Sequence, residues 1–159
     1  MHDWVWPCTA GDLSGAAASF DTAERLLSSS DREDEPDWIY WFTVADLHGI
    51  AGESYMFANQ PGTAVEHLQQ AVDGYGEEFA RDRVMWLSTM ATAHVLNGDL
   101  EQSLYTAQRA LEILSGDLNS GRVVEVLTEF CGTLRAHDTR DAADFEERLA
   151  AYTRKQPEV

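Results

Sequence analysis

The chain has 159 residues and a formal net charge of −17 at pH 7, from 28 acidic against 11 basic side chains. This length allows one domain with a buried core, and the negative charge disfavours direct binding to nucleic acid. No apolar run approaches the ~18 residues of a membrane span, and no secretion signal is evident. Two cysteines, Cys8 and Cys131, are too few for a disulfide framework. We therefore expect a single cytoplasmic domain over residues 1-159 that makes no membrane contact.

The first element is an incomplete repeat over residues 1-30, with a helix predicted from Gly11 to Leu27. If this helix is the second of a hairpin, Met1 falls inside the first helix, which Pro7 would interrupt. Such an end leaves apolar surface that either folds back over the helix or contacts a partner or a second copy in a homodimer. The residues that would form this end are Trp4, Val5 and Trp6.

An acidic run over residues 31–37 leads into an aromatic segment and favours the start of a helix. We predict a long helix from about Asp37 to Ala58. The turn Asn59–Gly62 then leads into a second helix, which Ala64 opens. These two helices form a predicted repeat over residues 37-76.

The same pattern recurs further along the chain, where Ser103 stands in place of Ala64. We call the sequence separation between Ala64 and Ser103 the repeat period. In each second helix, residues at i, i+4 and i+7 share one face, and small side chains there let a neighbouring helix approach closely. These sets are Ala16/Phe20/Ala23, Ala64/Leu68/Ala71 and Ser103/Ala107/Ala110. The further predicted first helices and their repeats are Arg83–Asn97 in 83-115 and Ser120–Ala136 in 120-153.

The last repeat opens its second helix at Ala142, one repeat period after Ser103. Phe145 and Leu149 take over the face that small residues occupy in the earlier repeats. No segment alternates between apolar and polar residues as a strand does. The predicted fold class is therefore all-α.

Residues at fixed positions in two of these units resemble the tetratricopeptide repeat (TPR). The matching residues are Gly52 and Tyr55 in the first helix of one unit, and Ala91, His94 and Gly98 in the next. The chain departs from the family at His48 and Leu87, where tryptophan is preferred, and its repeat period is longer than that of the family. The resemblance implies a right-handed α-solenoid of about three and a half TPR-like helical hairpins.

The order of segments between residues 10 and 152 resembles the C-terminal repeat region of bacterial XRE-type helix-turn-helix transcriptional regulators. The segments that carry this resemblance are Glu35–Phe42, Tyr75–Leu87, Gly98–Ser103 and Ser120–Val123. The resemblance implies a sensor or protein-interaction module. The DNA-binding domain of those regulators has no counterpart in this sequence.

No motif for nucleophilic catalysis, phosphate binding or metal binding occurs in the sequence, so we predict no metal site and no cofactor. His48 and His67 lie on the two helices of one predicted hairpin and can approach each other, but no further metal ligands are evident. Cys131 stands mid-helix between Phe130 and Gly132 and is predicted to be a buried small apolar residue.

In stacked hairpins the first helices line a concave face, and the repeat register predicts which side chains lie there. They would form a groove of apolar and small polar residues with two carboxylates, suited to an extended peptide or a mid-sized organic ligand. Methionine and aromatic residues at helical spacing fit a core as well. The predicted groove residues are Asp46, Ile50, Glu53, Met56, Phe57, Met85, Ser88, Thr89, Thr92, Val95, Leu127 and Cys131.

Three functions are compatible with this pattern. The first is a non-catalytic regulatory module that binds a peptide, a protein or a small organic effector. The second is an enzyme or accessory protein of a biosynthetic pathway, derived from a regulator, with Asp46, Glu53 or His48 as acid or base towards an apolar substrate. The third is an oligomerisation unit that acts through Trp4 and Trp6. The lack of catalytic motifs favours the first.

Overall fold

The structure is a computed structural model that describes residues 13–29, 42–114, 121–137 and 139–155. Within these ranges the chain forms seven α-helices and one short 3-10 turn, with no strand, which confirms the all-α prediction. The helices are α1 (Leu13–Ser29), α2 (Val44–Phe57), α3 (Pro61–Gly74), α4 (Ala80–Leu96), α5 (Leu100–Leu114), α6 (Gly121–Leu134) and α7 (Arg140–Lys155).

The helices belong to two compact units, Met1–Gly74 and Tyr75–Val159. In the first unit α2 packs along α3 as a hairpin, and α1 contacts α2. In the second unit α4 packs along α5 and against α6, and α7 contacts both α5 and α6. Among the described helices, none combines the length and the apolar character that crossing a bilayer requires.

The start of α2 differs from the prediction. Phe42 and Thr43 are not helical, and Thr43 has an extended backbone with φ −120° and ψ 170°. The Thr43 hydroxyl accepts a hydrogen bond from the Asp46 N–H, and the Asp46 carboxylate accepts one from the Thr43 N–H with an N···O distance of 2.7 Å. This capping box satisfies two backbone donors at the first turn. The predicted continuous helix from Asp37 to Ala58 is therefore wrong at its N-terminal end.

The turns that follow α2 and α4 share one geometry. Each contains a residue in the left-handed region, Asn59 with φ 57° and Gly98 with φ 81°. The next residue donates its N–H to the carbonyl oxygen five positions earlier, over 2.8 Å for Gln60 and 2.9 Å for Asp99. A left-handed residue with this bond closes the last helical turn. The two helices therefore end in the same way at positions one repeat period apart.

A small residue brings the two helices of each hairpin close together. A Cβ added at Gly52 would lie 2.5 Å from Leu68 Cγ and 3.2 Å from the Ala64 carbonyl oxygen. In the second unit Ser103, at the position of Ala64, donates its hydroxyl to the Ala91 carbonyl over 2.8 Å. Ala91 itself stands one repeat period after Gly52. The repeat positions therefore make corresponding contacts in both hairpins.

The core of the second unit continues into α6 and α7. The rings of Phe130 and Phe145 meet edge to face, with centroids 5.5 Å apart and planes at 84°. Both are buried, and so is Leu149, which confirms the apolar face predicted for α7. Phe130 stands at the repeat position of Ala91, so an aromatic contact replaces the small-residue contact of the other hairpins.

The other helix boundaries lie within a few residues of their predicted positions. α4 begins at Ala80, directly after a 3-10 turn at Glu77–Phe79, where the sequence predicted a start at Arg83. The end of α1 lies two residues beyond the predicted Leu27, and α6 ends at Leu134. Frayed ends account for differences of this size.

Candidate functional site

A pair of histidines joins α2 to α3 in the first unit. The distance from His48 Nδ1 to His67 Nδ1 is 3.0 Å, which is a hydrogen-bonding distance. His48 is buried and His67 is half-buried. The prediction that these two rings can approach each other is confirmed.

Glu24 of α1 lies on the other side of His48, with its Oε1 3.5 Å from Nε2. The carboxylate favours a proton on Nε2, so Nδ1 of a neutral His48 accepts the hydrogen bond that the Nδ1–H of His67 donates. Two fully protonated rings would place two N–H donors against each other at 3.0 Å with no acceptor between them.

Aromatic side chains pack around His67. The Tyr55 ring stacks on it, with centroids 5.1 Å apart and planes at 9°. Phe20 of α1 contacts both rings, with centroid distances of 6.2 Å to Tyr55 and 6.4 Å to His67. All three helices of the first unit therefore contribute to one group of side chains. We call it the histidine cluster, and its members are Phe20, Glu24, His48, Tyr55 and His67.

The surroundings of His67 favour its neutral form. Burial lowers the pKa of His67 from its ordinary value of 6.5, and positive charge on His48 lowers it further. The carboxylates of Glu24, Glu66 and Asp21 oppose this shift without cancelling it. His67 is therefore an uncharged ring at neutral pH and accepts a proton only when the solution becomes acidic.

The second unit contains a buried free thiol, Cys131. The pKa of this thiol is raised to about 11, mainly by burial and to a smaller extent by the Glu146 carboxylate, while Arg135 opposes the rise. Because the thiolate is the nucleophilic form, such a thiol is unreactive at neutral pH. The predicted burial of Cys131 is confirmed. Among the described residues, no three or more His, Cys, Asp or Glu side chains are grouped so that they could hold a metal ion.

One face of α2 presents four of the predicted groove residues as a continuous stripe. Asp46, Ile50, Glu53 and Phe57 follow each other at i, i+4, i+7 and i+11, and we call them the α2 stripe. None of the buried residues of α2 belongs to the stripe. Phe57 is 90% exposed and Glu53 is exposed, whereas Asp46 and Ile50 are half-buried.

Asp46 has a local structural role that the sequence analysis missed. Its carboxylate accepts hydrogen bonds from both the N–H and the hydroxyl of Thr43, each over 2.7 Å. A threonine followed three residues later by an acidic residue is the signal that predicts this cap. These bonds hold the carboxylate at the first turn of α2.

The corresponding face of α4 has the same spacing. Met85, Thr89 and Thr92 are half-buried and Leu96 is 54% exposed, and we call these four residues the α4 stripe. Each stands one repeat period after its counterpart in the α2 stripe. Leu96 was not among the predicted groove residues, although the repeat period counted from Phe57 leads to it.

The remaining predicted groove residues are less accessible. Ser88, Val95, Leu127 and Cys131 are buried, and Met56 is half-buried. The Ser88 hydroxyl donates to the Val84 carbonyl over 2.8 Å. The exposed surface of the predicted set therefore comes mainly from the two stripes. The predicted oligomer or partner end lies outside the described residues and comprises Trp4, Val5 and Trp6.

No protein-family model, curated protein or solved structure matches this chain. Two arrangements in the chain itself bear on its function. The histidine cluster offers a neutral imidazole supported by a carboxylate, and the two stripes offer exposed side chains at a regular helical spacing.

Proposed function

We propose that this protein is a non-catalytic binding module, regulatory in role, that holds a peptide, a protein or a small organic effector on the exposed face of α2 or, separately, on the corresponding face of α4. The observation that carries this proposal is Phe57, a large apolar side chain that is 90% exposed on the α2 stripe. Leu96 repeats it on α4 at 54% exposure. A repeated binding face would present an exposed apolar side chain at the same position of successive repeats, as Phe57 and Leu96 do.

The repeat supports an α-solenoid of TPR-like hairpins as the architecture of this module. Corresponding contacts between the two helices of a hairpin occur one repeat period apart, between Gly52 and Ala64 and between Ala91 and Ser103. Asn59 and Gly98 are corresponding left-handed turn residues at the same separation. Repeats of this kind present the same face of successive first helices to a ligand. The regulator-like order of segments supports a regulatory role in the cytoplasm.

The charge of the chain narrows the choice of partners. At −17, the protein repels nucleic acid and anionic lipid surfaces alike, so neither is part of the proposed function. The proposal includes no metal ion and no cofactor, because its contacts are apolar and hydrogen-bonding side chains. A homodimer through the N-terminal aromatic residues remains a separate proposal for residues that the structure does not describe.

A selection from a random peptide library displayed on phage tests the proposal. We expect the full chain to enrich peptides whose binding weakens about tenfold or more in the Phe57→Ala variant, because burying a phenylalanine side chain contributes about 1.5–3 kcal/mol. Tyr105→Ala is the matched control, since Tyr105 is also an exposed aromatic residue, 58% exposed, but lies on α5 outside both stripes.

Two results would count against the binding function. One is the absence of any enriched peptide whose affinity depends on Phe57 or Leu96. The other is an equal loss of affinity in Phe57→Ala and Tyr105→Ala, which would mean that exposed aromatic surface in general captures the peptides. Thermal unfolding of each variant checks that it retains its fold.

A second candidate function is an enzyme or pathway accessory protein that acts on an apolar substrate. The observation that favours it is the chain of contacts from Glu24 through His48 to His67, which supports a neutral imidazole as a general base. Hydrolysis of p-nitrophenyl acetate tests whether this imidazole is reactive. If the protein is such an enzyme, we expect a slower hydrolysis rate for His67→Gln than for His137→Gln. Equal rates in the two variants would exclude His67 as a general base.

A further inference from the structure

We propose that Arg83 and Trp86 of α4 form a binding site for the carboxylate group of a ligand, which accepts hydrogen bonds from the Nε–H of Arg83 and the Nε1–H of Trp86. Neither residue belongs to the α4 stripe, so the inference goes beyond the proposed binding function. It is carried by two buried donors that have no acceptor.

The two donors are the exceptions to hydrogen-bond pairing in the part of the chain that the structure describes. Among the described residues, the buried side-chain nitrogen and oxygen atoms without a hydrogen-bond partner are Arg83 Nε and Trp86 Nε1. Buried polar atoms are nearly always paired, because an unpaired donor has lost its bonds to water without replacing them. The two residues stand three positions apart in one helix and therefore lie on the same side of α4. Two missing partners at neighbouring positions indicate one acceptor that the chain itself does not supply.

The two side chains differ in exposure. Trp86 is 6% exposed, whereas Arg83 is half-buried. The buried indole holds one donor in place, and the partly accessible arginine provides the side from which an acceptor in solution reaches it. Elsewhere on the same helix, the buried Ser88 hydroxyl has the Val84 carbonyl as its acceptor over 2.8 Å. The polar group of Trp86 has no such internal solution.

The chemistry of the donors favours a carboxylate as the acceptor. Arg83 carries a positive charge, and none of the ion pairs among the described residues includes it. A water molecule can accept from both donors, but it leaves this charge without a counter-charge. A carboxylate offers two oxygens to N–H donors and supplies the opposite charge, which makes its hydrogen bonds to a guanidinium the stronger ones.

The charge of the protein distinguishes a carboxylate from a phosphate. The whole chain carries −17, Asp82 directly precedes Arg83, and Glu77 and Glu78 lie just before α4. A carboxylate brings one negative charge into this surrounding, whereas a phosphate carries more than one at pH 7. Repulsion therefore disfavours the phosphate. The carboxylate comes either from a small organic acid or from the C-terminus of a peptide.

Nuclear magnetic resonance of the ¹⁵N-labelled full chain tests the inference through the indole N–H peak of Trp86, which is the peak missing from Trp86→Phe. The probes are acetate, its neutral analogue acetamide, and inorganic phosphate. We expect acetate to shift the Trp86 peak in a saturable way. We expect acetamide and phosphate to bind about fivefold more weakly or less, because the first lacks the charge and the second carries too much of it.

Two peptides distinguish the sources of the carboxylate. One is an N-acetylated tripeptide with a free C-terminal carboxylate, and the other is the same tripeptide with a C-terminal amide. Tighter binding of the acid peptide than of acetate, with loss of binding in the amide, supports the site and assigns it to peptide C-termini. Equal binding of the acid peptide and acetate supports the site and assigns it to small organic acids.

Matched variants test each donor. Arg83→Gln removes the guanidinium, and Trp86→Phe keeps an aromatic ring but removes its N–H. We expect acetate binding, measured from backbone amide shifts, to weaken about tenfold in the first and about fivefold in the second. The controls are Arg81→Gln, at an exposed arginine two residues earlier, and Tyr105→Phe, which removes a hydroxyl from an exposed ring on α5. Circular dichroism checks that all four variants are folded.

Three results would overturn the inference. The first is the absence of a saturable shift of the Trp86 peak in the wild-type chain with every carboxylate, which would leave water as the acceptor. The second is equal binding of acetamide and acetate, which would remove the carboxylate as the ligand class. The third is equal weakening in Arg83→Gln and Arg81→Gln, which would show attraction to positive charge in general. None of these results depends on Phe57 or Leu96, so the proposed binding function is tested separately.

Discussion

His67 shows how packing sets the chemistry of a single residue. It lies between His48, Tyr55 and Phe20, and burial is the largest influence that lowers its pKa. The neighbouring carboxylates that would favour the charged ring are outweighed. In the sequence, His67 is one of five dispersed histidines. In the fold it is neutral because of the side chains that surround it.

We predict that the free energy of unfolding falls as the pH drops from about 7.5 to about 5.5, and falls less in His67→Gln. The folded-state pKa of His67 is lowered, so the unfolded chain binds the proton first. The contribution of a neutral His67 is fully present above its ordinary pKa of 6.5 and is lost as the pH falls below that value. Urea unfolding at fixed ionic strength measures it.

The other shifted histidine provides an internal comparison for this measurement. Burial also lowers the pKa of His94, with Asp99 opposing, so His94 contributes a pH dependence of the same sign. The His67→Gln variant retains that part. Identical pH dependence in the wild type and in His67→Gln would show that protonation of His67 does not oppose folding.

At the scale of the helices, close approach is set by small residues at one register position. Gly52 has no space for a side chain against α3, whereas a Cβ at Gly132 in α6 would meet nothing within 4 Å. The two glycines therefore differ in the reason for their presence, although both lie inside helices. Only the first is required by packing.

We predict that Gly52→Ala destabilises the protein by about 1–3 kcal/mol, because the new Cβ overlaps the fully buried Leu68. Gly132→Ala is the matched control and should stabilise the protein by about 0.5–1 kcal/mol, because alanine favours a helix over glycine. Chemical unfolding of both variants measures the difference. A Gly52→Ala variant as stable as Gly132→Ala would mean that α2 and α3 do not pack this closely.

At the scale of the whole molecule, a net charge of −17 opposes compactness. The ion pair between Arg135 and Glu146 joins an exposed and a half-buried side chain, with a distance of 3.4 Å from Nε to Oε1. Exposed pairs of this kind contribute little to stability. We therefore expect repulsion among carboxylates to be the larger electrostatic effect.

We predict that the melting temperature at pH 7 rises when NaCl is increased from about 0.02 M to about 0.5 M, because salt screens the repulsion between carboxylates. Differential scanning calorimetry measures the change. The rise should be smaller near the sequence pI of 4.4, where the net charge is close to zero. A melting temperature that falls with NaCl at pH 7 would show that attractive ion pairs outweigh the repulsion.

Features with a local cause were predicted from the sequence. The repeat period and the turns at Asn59 and Gly98 depend on helical periodicity and on backbone conformations that few residues adopt. The small positions at Gly52 and Ala91 were expected from the resemblance to the tetratricopeptide repeat. The start of α2 was also local in cause, but its capping signal lay beside a stronger aromatic pattern further upstream. That competition led to the wrong helix start.

The candidate site was predicted only in part, because exposure depends on neighbours that are distant in the chain. Phe57 and Cys131 were both assigned to a groove, yet the first is 90% exposed and the second is buried. Each has the same apolar character in the sequence. What separates them is how much of each side chain the fold covers.

The amino-acid order alone specified helices, turns and repeat positions, because these follow from side-chain size, backbone preference and the regular turn of the α-helix. Packing of the folded chain specified that Glu24 of α1 meets His48, that His67 is neutral, and that Phe57 remains exposed. These properties depend on solvent exclusion and on distances between residues far apart in sequence. No local pattern contains either quantity.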